Sequence, residues 1–342
     1  MKNTGKLEQS HLFQYIHGYR FTQLIYVAAE LKIADFLKDG PKDSCYLAAK
    51  TNTHEPSLYR VLRALTSIQV FKESEQGFEL TDLSQFLISD SPNSLRVLAV
   101  MRGEEVNWKP WGELLYAVKT GNNPFQEVFG MDLFEYYETH PSSGQTFNEG
   151  MNITTQHDIQ TILDQYDFSY AKTIVEIGGG LGRLLFSILA KYPNKNGILY
   201  DLPHVVKDAY TLRAQFQIGN RCGIVGGEFF STVPNGGDVY LLKRIIHDWD
   251  DKRASKILRN CHQVMKDQGK IVVFETMVQD DYDNPEGKVN DTHMMMVTPG
   301  GKERTREEFS KLFQSAGFLL TQVTPIGKGL YAGLYAIEGI LQ

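Results

Sequence analysis

A histidine stands directly after an apolar run in the stretch LLKRIIHDWDD, residues 241–251. A histidine in such a place can act as a general base, because its imidazole titrates near neutral pH and can accept a proton from a bound hydroxyl. It can equally be a structural histidine at the edge of a core. Which role His247 has depends on the chemistry that the neighbouring elements bring to the same place.

A glycine-rich turn separates a strand-like run from a helix-like run in TIVEIGGGLGRLLFSILAKY, residues 173–192. Glycines allow a tight turn and a close approach of a ligand to the backbone, and the helix N-terminus offers unpaired N–H groups. The spacing departs from the dinucleotide fingerprint G-x-G-x-x-G, because Arg183 occupies the place of its third glycine. A plain strand-to-helix turn is the structural alternative.

Two acids near the glycine turn indicate which ligand it binds. Glu176 lies just before Gly178, where it would repel a pyrophosphate and attract an ammonium group. Asp201 lies at the end of the next predicted strand, a position suited to ribose hydroxyls. The two acids together favour S-adenosylmethionine over a dinucleotide.

A third acid, Glu228, stands beside Phe229 in the stretch GGEFF, before the predicted strand at residues 238–244. In an open parallel sheet, ligands bind outside the carboxyl ends of the strands. His247 follows the carboxyl end of this strand, so it is predicted to lie on the same edge as the cofactor. This placement favours the general base over the structural role.

Residues 171–342 alternate strand-like runs with amphipathic helical segments. The predicted strands are TIVEI, GILYD, DVYLLKR and KIVVFE. The alternation predicts an α/β fold with a mostly parallel sheet and helices on both faces. Residues 317–339 carry two further strand-like runs joined by a short glycine-containing link, which we expect to close the sheet as an antiparallel pair.

Residues 1–120 have a mainly helical pattern, with two short helices around a turn and Pro56 near the start of the second. A small hairpin is predicted to turn near Gln76 and Gly77. Helix, turn, helix and hairpin are the order of elements in a winged helix. The segment 121–170 is predicted to form linking helices that contribute to the substrate pocket.

A winged helix can read DNA or serve as a packing and dimerisation module. Arg60 and Arg63 lie on the helix that would read DNA. Residues 1–100 contain eleven Lys and Arg and eleven Asp and Glu, so the basic surface typical of a DNA-binding domain is missing. We therefore expect the packing and dimerisation role.

Length and composition indicate a globular protein of two domains. The chain has 342 residues, of which 42% are hydrophobic and 22% charged, and a net charge of −6. No apolar run approaches the ~20 residues of a membrane helix, and the polar N-terminus lacks a signal core. Three scattered cysteines, Cys45, Cys222 and Cys261, fit neither a disulfide framework nor a metal site. These features predict a cytoplasmic protein without a membrane or nucleic-acid partner.

The motifs VEIGGGLG, DLPHVV, GGEFF, LLKRIIHDWDD and GGKERT together resemble one known family. It comprises the two-domain, S-adenosylmethionine-dependent small-molecule O-methyltransferases of the caffeic acid and hydroxyindole O-methyltransferase type. The motifs occur in the family's order and the resemblance covers nearly the whole chain. It implies a Rossmann-like methyltransferase domain preceded by a winged-helix-like dimerisation domain, and hence a homodimer.

The resemblance also implies a role for each matching residue. His247 matches the general base, and Glu275 and Glu303 match the two acids that orient it, although each acid can also be an ordinary salt-bridge partner. The positions that match the family's cofactor site are Gly178, Asp201, Glu228, Phe229, Lys243 and Trp249. Glu176, the acid before the glycine turn, is added to them on the charge argument above. Glu228 departs from the family, which usually has Asp there. Asp248 is expected to cap the helix that starts near Asp250 rather than to take part in catalysis. No metal is expected.

Positions matching the family's acceptor pocket are Met101, Arg102, Phe147, Met151, His293, Met294 and Thr298. Methionine and phenylalanine provide a flat apolar slot for an aromatic acceptor, although ordinary core packing explains each of them equally well. Arg102 and His293 depart from the plant members and would favour an acidic or highly oxygenated acceptor.

The leading prediction is methylation of a hydroxyl, expected to be phenolic, on a small aromatic or polyketide-like metabolite. One alternative is N-methylation. Another is a relative that uses the sulfonium charge for dehydration, decarboxylation or pericyclic chemistry. A DNA-binding sensor of S-adenosylmethionine is disfavoured by the charge balance of the first domain.

Overall fold

The structure is a computed structural model that describes residues 4–279, 285–328 and 333–342. The predicted link between the last two strands falls largely outside these residues. None of the helices described combines the length and the apolar character that crossing a bilayer requires.

The chain forms two compact units, which are Met1–Lys109 with Gln145–Ile153, and Pro110–Gly144 with Thr154–Gln342. The sequence analysis divides the chain at residues 120 and 170 instead. The two divisions differ because one long helix, Pro141–Gln165, contributes residues to both units. Helical periodicity along the chain does not reveal such a shared element.

The first unit is mainly helical, and the helices up to residue 112 are α1 (Thr4–Glu30), α2 (Ile33–Phe36), α3 (Ser44–Thr51), α4 (Glu55–Ser67), α5 (Arg96–Gly103) and α6 (Glu105–Gly112). An antiparallel hairpin of β1 (Phe71–Ser74) and β2 (Gly77–Leu80) follows α4. The side chain of Asp43 caps α3 by accepting the Tyr46 N–H, and Pro56 lies in the first turn of α4. The predicted order of helix, turn, helix and hairpin is confirmed.

The second unit contains the remaining helices and strands. The helices are α7 (Leu114–Thr120), α8 (Pro124–Phe129), α9 (Leu133–Thr139), α10 (Pro141–Gln165, shared with the first unit), α11 (Arg183–Lys191), α12 (Pro203–Val206), α13 (Ala209–Gln215), α14 (Asp251–Val264), α15 (Pro285–Val297) and α16 (Arg306–Ser315). The strands are β3 (Thr173–Ile177), β4 (Asn196–Asp201), β5 (Cys222–Gly226), β6 (Val239–Lys243), β7 (Lys270–Thr276), β8 (Phe318–Lys328) and β9 (Gly333–Leu341).

These strands form one seven-stranded sheet in the order β5-β4-β3-β6-β7-β9-β8. The neighbours from β5 to β7 are parallel, whereas β9 is antiparallel to both β7 and β8. The predicted mostly parallel α/β sheet with an antiparallel closing pair is confirmed. Strand β5 is not among the predicted strands, because its sequence CGIVG is short and begins and ends beside glycines.

The sheet is covered on both faces because successive residues of a strand point to opposite sides. Ile174 and Val175 of β3 belong to two different core clusters, as do Leu241 and Leu242 of β6. All four are fully buried. Burying a side chain of this size contributes about 1.5–3 kcal/mol, so the alternation specifies the register of the central strands.

The order of strands reverses between β3 and β6, since the chain passes from β3 to β4 and β5 on one side and from β6 to β7 on the other. Such a switch point opens a crevice at the carboxyl ends of the strands. Four predicted site residues lie at or near these ends, which are Gly178, Asp201, Lys243 and Glu275.

Candidate active site

The turn after β3 has backbone conformations that favour glycine. Gly178 has a φ of +67° and Gly182 a φ of +81°, in the left-handed region that other residues rarely adopt. A Cβ atom on Gly178 would lie 2.4 Å from Ile245 Cδ1. The glycine therefore also lets the segment after β6 approach the turn.

The carboxylate of Asp201 ties the end of β4 to this turn. Its Oδ2 accepts the Gly180 N–H at 2.7 Å, and its Oδ1 accepts the Leu202 N–H at 2.7 Å. Burial raises the pKa of Asp201, while the two N–H groups act in the opposite direction. The acid predicted to bind ribose thus lies beside the glycine turn, and the ribose contact itself stays a prediction.

Glu176 is buried under the same turn. Its Oε2 accepts the Leu185 N–H at 3.3 Å. Burial raises the pKa of Glu176 to about 8, although Lys243 favours the charged form. The site therefore holds a carboxyl group that a cationic ligand would ionise, which fits the predicted ammonium partner.

Lys243, at the end of β6, forms an ion pair that the sequence analysis missed. Its Nζ lies 3.0 Å from Asp158 Oδ2 and donates to Thr155 Oγ1 at 3.3 Å. The Asp158 carboxylate is fully buried and also lies 3.5 Å from Nη2 of Arg244. Asp158 could not be paired with Lys243 from the sequence because 85 positions separate them.

Trp249 lies among aromatic rings. The centroid of Phe229 is 6.0 Å from that of Trp249, so these two predicted cofactor residues lie together. Phe230 and Phe134, which were not predicted, lie 4.7 and 5.2 Å from the same ring. Glu228, beside Phe229, accepts a hydrogen bond from the Ser231 hydroxyl at 3.1 Å.

His247 lies on a short 3₁₀ turn, Ile246–Asp248, and is 7% exposed. Its Nδ1 is 2.8 Å from Glu303 Oε1 and 3.4 Å from Glu275 Oε2. The structure thus brings the three predicted catalytic residues together. A carboxylate on Nδ1 stabilises the tautomer with the proton on Nδ1, which leaves Nε2 as the basic nitrogen.

The two glutamates hold the histidine in different ways. Glu275 Oε1 accepts the backbone N–H groups of Ile245, Ile246 and His247 at 3.0, 2.9 and 3.3 Å. Glu275 therefore shapes the turn that carries the histidine, while Glu303 makes the shorter contact with the ring.

The pKa of His247 reflects two opposing effects. Burial alone would lower it, but the carboxylates of Glu275, Glu303 and Asp248 outweigh burial and raise it to about 10. Asp248 Oδ1 lies 3.6 Å from His247 Nε2, and burial raises the pKa of Asp248 to about 7. The surrounding carboxylates therefore favour the protonated imidazole at neutral pH.

The prediction that Asp248 caps the following helix is wrong. The N-cap of α14 is Asp250, whose Oδ1 accepts the Arg253 N–H at 2.8 Å. Asp248 belongs to the 3₁₀ turn and faces the imidazole. The turn includes Asp248 itself, which moves the N-cap of α14 to the second aspartate, Asp250.

Arg304 is a further residue that the sequence analysis missed. It is fully buried and donates to the carbonyl oxygens of Ile246 at 3.0 Å and Trp249 at 2.7 Å. Its Nε also donates to Asp251 Oδ1 at 2.9 Å. Arg304 thus holds the backbone on both sides of His247. The motif GGKERT contains it, but the sequence analysis drew only Glu303 from that motif.

Helix α15 carries the predicted acceptor residues of the second unit. His293 Nδ1 accepts the indole N–H of Trp111 at 3.1 Å, and the two rings are stacked. Met294 is buried, and its carbonyl oxygen accepts the Thr298 hydroxyl at 2.7 Å. Thr298 Oγ1 also accepts the Gly301 N–H at 3.0 Å, so it connects the end of α15 with the loop that bears Glu303.

The other predicted acceptor residues belong to the first unit. Met101 is buried, and a Cβ atom on Gly150 would lie 2.6 Å from its sulfur. Gly150 lies on α10 between Phe147 and Met151, so these three predicted positions are neighbours within that unit. Arg102 follows Met101 on α5. Their contact with an acceptor stays a prediction.

A parallel sheet with a switch point, a glycine turn between two strand-end acids, and a histidine held by glutamates define a class of protein. That class is the Rossmann-like, S-adenosylmethionine-dependent methyltransferases.

Comparison with known proteins identifies the family within this class. Residues 111–319 match the family described as O-methyltransferase domain, and residues 13–90 match the O-methyltransferase dimerisation domain. The chain belongs to this O-methyltransferase family. It transfers a methyl group from S-adenosylmethionine to a hydroxyl of a small aromatic metabolite, as the sequence analysis predicts. The match at residues 13–90 confirms the dimerisation role of the winged-helix-like region.

Curated relatives of the chain act on aromatic metabolites. It is 44% identical to phenazine O-methyltransferase PhzM of Lysobacter antibioticus over 94% of both chains. It is 34% identical to 3-amino-4-hydroxybenzoate 4-O-methyltransferase of Streptomyces cremeus, over 92% of this chain and 86% of that protein.

Solved structures share the fold over nearly the full length. LaPhzM has a TM-score of 0.92 at 42% identity and covers 98% of this chain and 99% of its own. Human N-acetylserotonin methyltransferase in complex with SAM has a TM-score of 0.88 at 26% identity, and covers 100% of this chain and 99% of its own.

Proposed function

We propose that the chain methylates a hydroxyl of a planar, fused aromatic metabolite of the phenazine kind, with His247 as general base. The base assignment is carried by the 2.8 Å contact between His247 Nδ1 and Glu303 Oε1. This contact orients the imidazole and directs Nε2 away from Glu303. The acceptor class is supported by the 44% identity to a phenazine O-methyltransferase.

The strand-end residues fit the chemical groups of S-adenosylmethionine. The glycine turn would let a ligand approach the backbone closely, Glu176 suits the ammonium group, and Asp201 suits the ribose hydroxyls. Glu228 and Phe229 would flank the adenine, Lys243 would also reach the cofactor, and Trp249 would pack near it. When bound, the cofactor supplies an electrophilic methyl group on a positively charged sulfur.

A phenolic hydroxyl keeps its proton at neutral pH, because its pKa is ~10. His247 Nε2 would accept this proton as the oxygen attacks, while Glu303 would hold the Nδ1 proton and stabilise the imidazolium. The pKa of His247, about 10, would first have to fall. Bringing a second positive charge into the site with the cofactor lowers it, because like charges disfavour the imidazolium.

The acceptor-side residues complete this proposal. His293 and Met294 on α15, and Met101, Arg102, Phe147 and Met151 in the first unit, would contact the acceptor. Thr298 would support α15. The stack of His293 on Trp111 favours a polar group on the acceptor, since a histidine fixed in this way keeps one ring nitrogen as a donor.

Mass spectrometry of acceptors incubated with methyl-labelled S-adenosylmethionine tests the proposal. We expect label on the oxygen of a hydroxyphenazine and at least tenfold less on a single-ring phenol such as a hydroxycinnamate. Label on nitrogen, or preferred use of the single-ring phenol, would contradict the proposed acceptor while leaving the methyltransferase activity intact.

The proposal includes a homodimer that acts in specialised metabolism in the cytoplasm. Helix α1 has an exposed apolar surface, formed by Leu12, Phe13, Tyr15, Ile16 and Tyr19. Such a surface is typical of an interface rather than of a solvated helix. Light scattering should give a mass close to twice 38.8 kDa. A monomer at micromolar concentration would refute the homodimer.

A further inference from the structure

Asn290 contacts the glutamate that holds the proposed base. It lies on α15, and its side-chain amide donates a hydrogen bond to Glu303 Oε1. That oxygen is the one that lies 2.8 Å from His247 Nδ1. One carboxylate oxygen therefore receives two N–H donors, one from the imidazole and one from the amide.

The next residue, Asp291, holds the backbone of the same glutamate. Its Oδ1 accepts the Glu303 N–H at 2.9 Å. Helix α15 thus contacts both the backbone and the side chain of Glu303. Glu303 Oε2 is buried and accepts no hydrogen bond from the residues that the structure describes, so the hydrogen bonds of this carboxylate are concentrated on Oε1.

The charged groups around the imidazole favour its protonated form. The carboxylates of Glu275, Glu303 and Asp248 surround it, and the carboxylate of Asp291 lies behind Glu303. The guanidinium of Arg244 acts on Glu275 from the end of β6. A hydrogen bond from a neutral amide to Glu303 Oε1 partly offsets the negative charge of that oxygen. It therefore weakens the electrostatic attraction between Glu303 and the imidazolium.

We propose that Asn290 is a positioning residue that weakens the hold of Glu303 on the His247 proton and so widens the range of hydroxyls that the enzyme can ionise. The inference rests on the proposed role of His247 as base. An amide suits this task because it does not titrate. An aspartate would add another negative charge beside Glu303, and an alanine would leave Oε1 to the imidazole alone.

Two measurements test the role of Asn290. In Asn290→Ala, the imidazole midpoint of His247, followed by NMR and assigned by comparison with His247→Gln, should rise by about one pH unit. Turnover of a phenolic acceptor near pH 8 should then fall about tenfold, because one pKa unit is a factor of ten in the deprotonated fraction. Turnover of an acceptor that is already ionised at that pH should stay within twofold.

Two variants separate this effect from damage to the helix. Val289→Ala changes the neighbouring residue, which is 59% exposed, and should leave both midpoint and turnover unchanged. In the His247→Gln background, Asn290→Ala should cause no further loss. An unchanged midpoint, or an equal loss with the ionised acceptor, would overturn the inference. If His247→Gln methylates every acceptor as fast as the wild type, the proposed role of His247 as base is wrong. The NMR midpoint of His247 still tests the effect of the contact between Asn290 and Glu303.

Discussion

The Nδ1 atom of His247 lies 2.8 Å from Oε1 of Glu303, a residue 56 positions further along the chain. The contact joins the turn after β6 to the loop before α16. It selects which imidazole nitrogen holds a proton and which can receive one. The proposed chemistry of the site depends on this choice.

Replacement of His247 by alanine should lower turnover by roughly 10²–10⁴-fold, the usual contribution of a positioned base. Cofactor affinity should change little, because the main cofactor contacts are proposed for Gly178, Asp201, Glu228 and Lys243. The measurement is turnover across a series of acceptors of graded pKa, with the melting temperature recorded alongside. The loss should shrink as the acceptor pKa falls. A uniform loss with a lowered melting temperature would instead indicate a structural histidine.

Substitutions of Glu303 and Glu275 should have different effects on turnover and stability. Glu303→Gln should reduce turnover less than His247→Ala, because an amide can still orient the ring but stabilises the imidazolium poorly. Glu275→Ala should mainly reduce stability, since it removes the acceptor of three backbone N–H groups, and each one left buried without a partner costs about 1–3 kcal/mol. Urea unfolding and turnover together measure both effects. Equal stability of the two variants would contradict the distinction.

Cofactor binding should release a proton below pH 8. Burial raises the pKa of Glu176 to about 8, and an ammonium group would favour its charged form. Affinity for S-adenosylmethionine should therefore rise with pH between about 5 and 8. Calorimetry in buffers of different ionisation enthalpy counts the released protons. Glu176→Gln should abolish this part of the release, and an unchanged proton count in that variant would exclude Glu176 as its source.

The free energy of unfolding should depend on the charge of His247. Its pKa is raised from 6.5 to about 10 on folding, so its stabilising contribution is complete below pH 6.5 and is lost as the pH rises through about 10. The slope is at most about 1.4 kcal/mol per pH unit. Denaturant unfolding should be measured from pH 6 to 10. The free energy of unfolding should decline more steeply for the wild type than for His247→Gln, and the difference between the two curves removes the contributions of groups that both proteins share. Parallel curves would refute the raised pKa.

The fold was largely predictable because its signals are local. Apolar runs such as TIVEI and KIVVFE are buried on both faces of the sheet, and their strands match the predicted bounds within a residue or two. The glycine turn could be placed because glycine is the residue that tolerates the positive φ of Gly178 and Gly182. Asp201 could be placed because it ends a strand.

The charged partners of the site were decided by the tertiary structure. Asp158 and Arg304 lie far along the chain from Lys243 and from the backbone of Ile246 and Trp249, so no spacing connects them. Asn290 lies 13 positions before Glu303, and only the packing of α15 brings the two side chains together. Asp248 shows the same limit at short range, because its role depends on whether the chain continues a 3₁₀ turn or begins α14. Residue types near strand ends therefore determined what chemistry is available. The packing of the loop before α16 against the turn after β6 decided the protonation of His247 and Asp248, because burial and neighbouring charges set their pKa values.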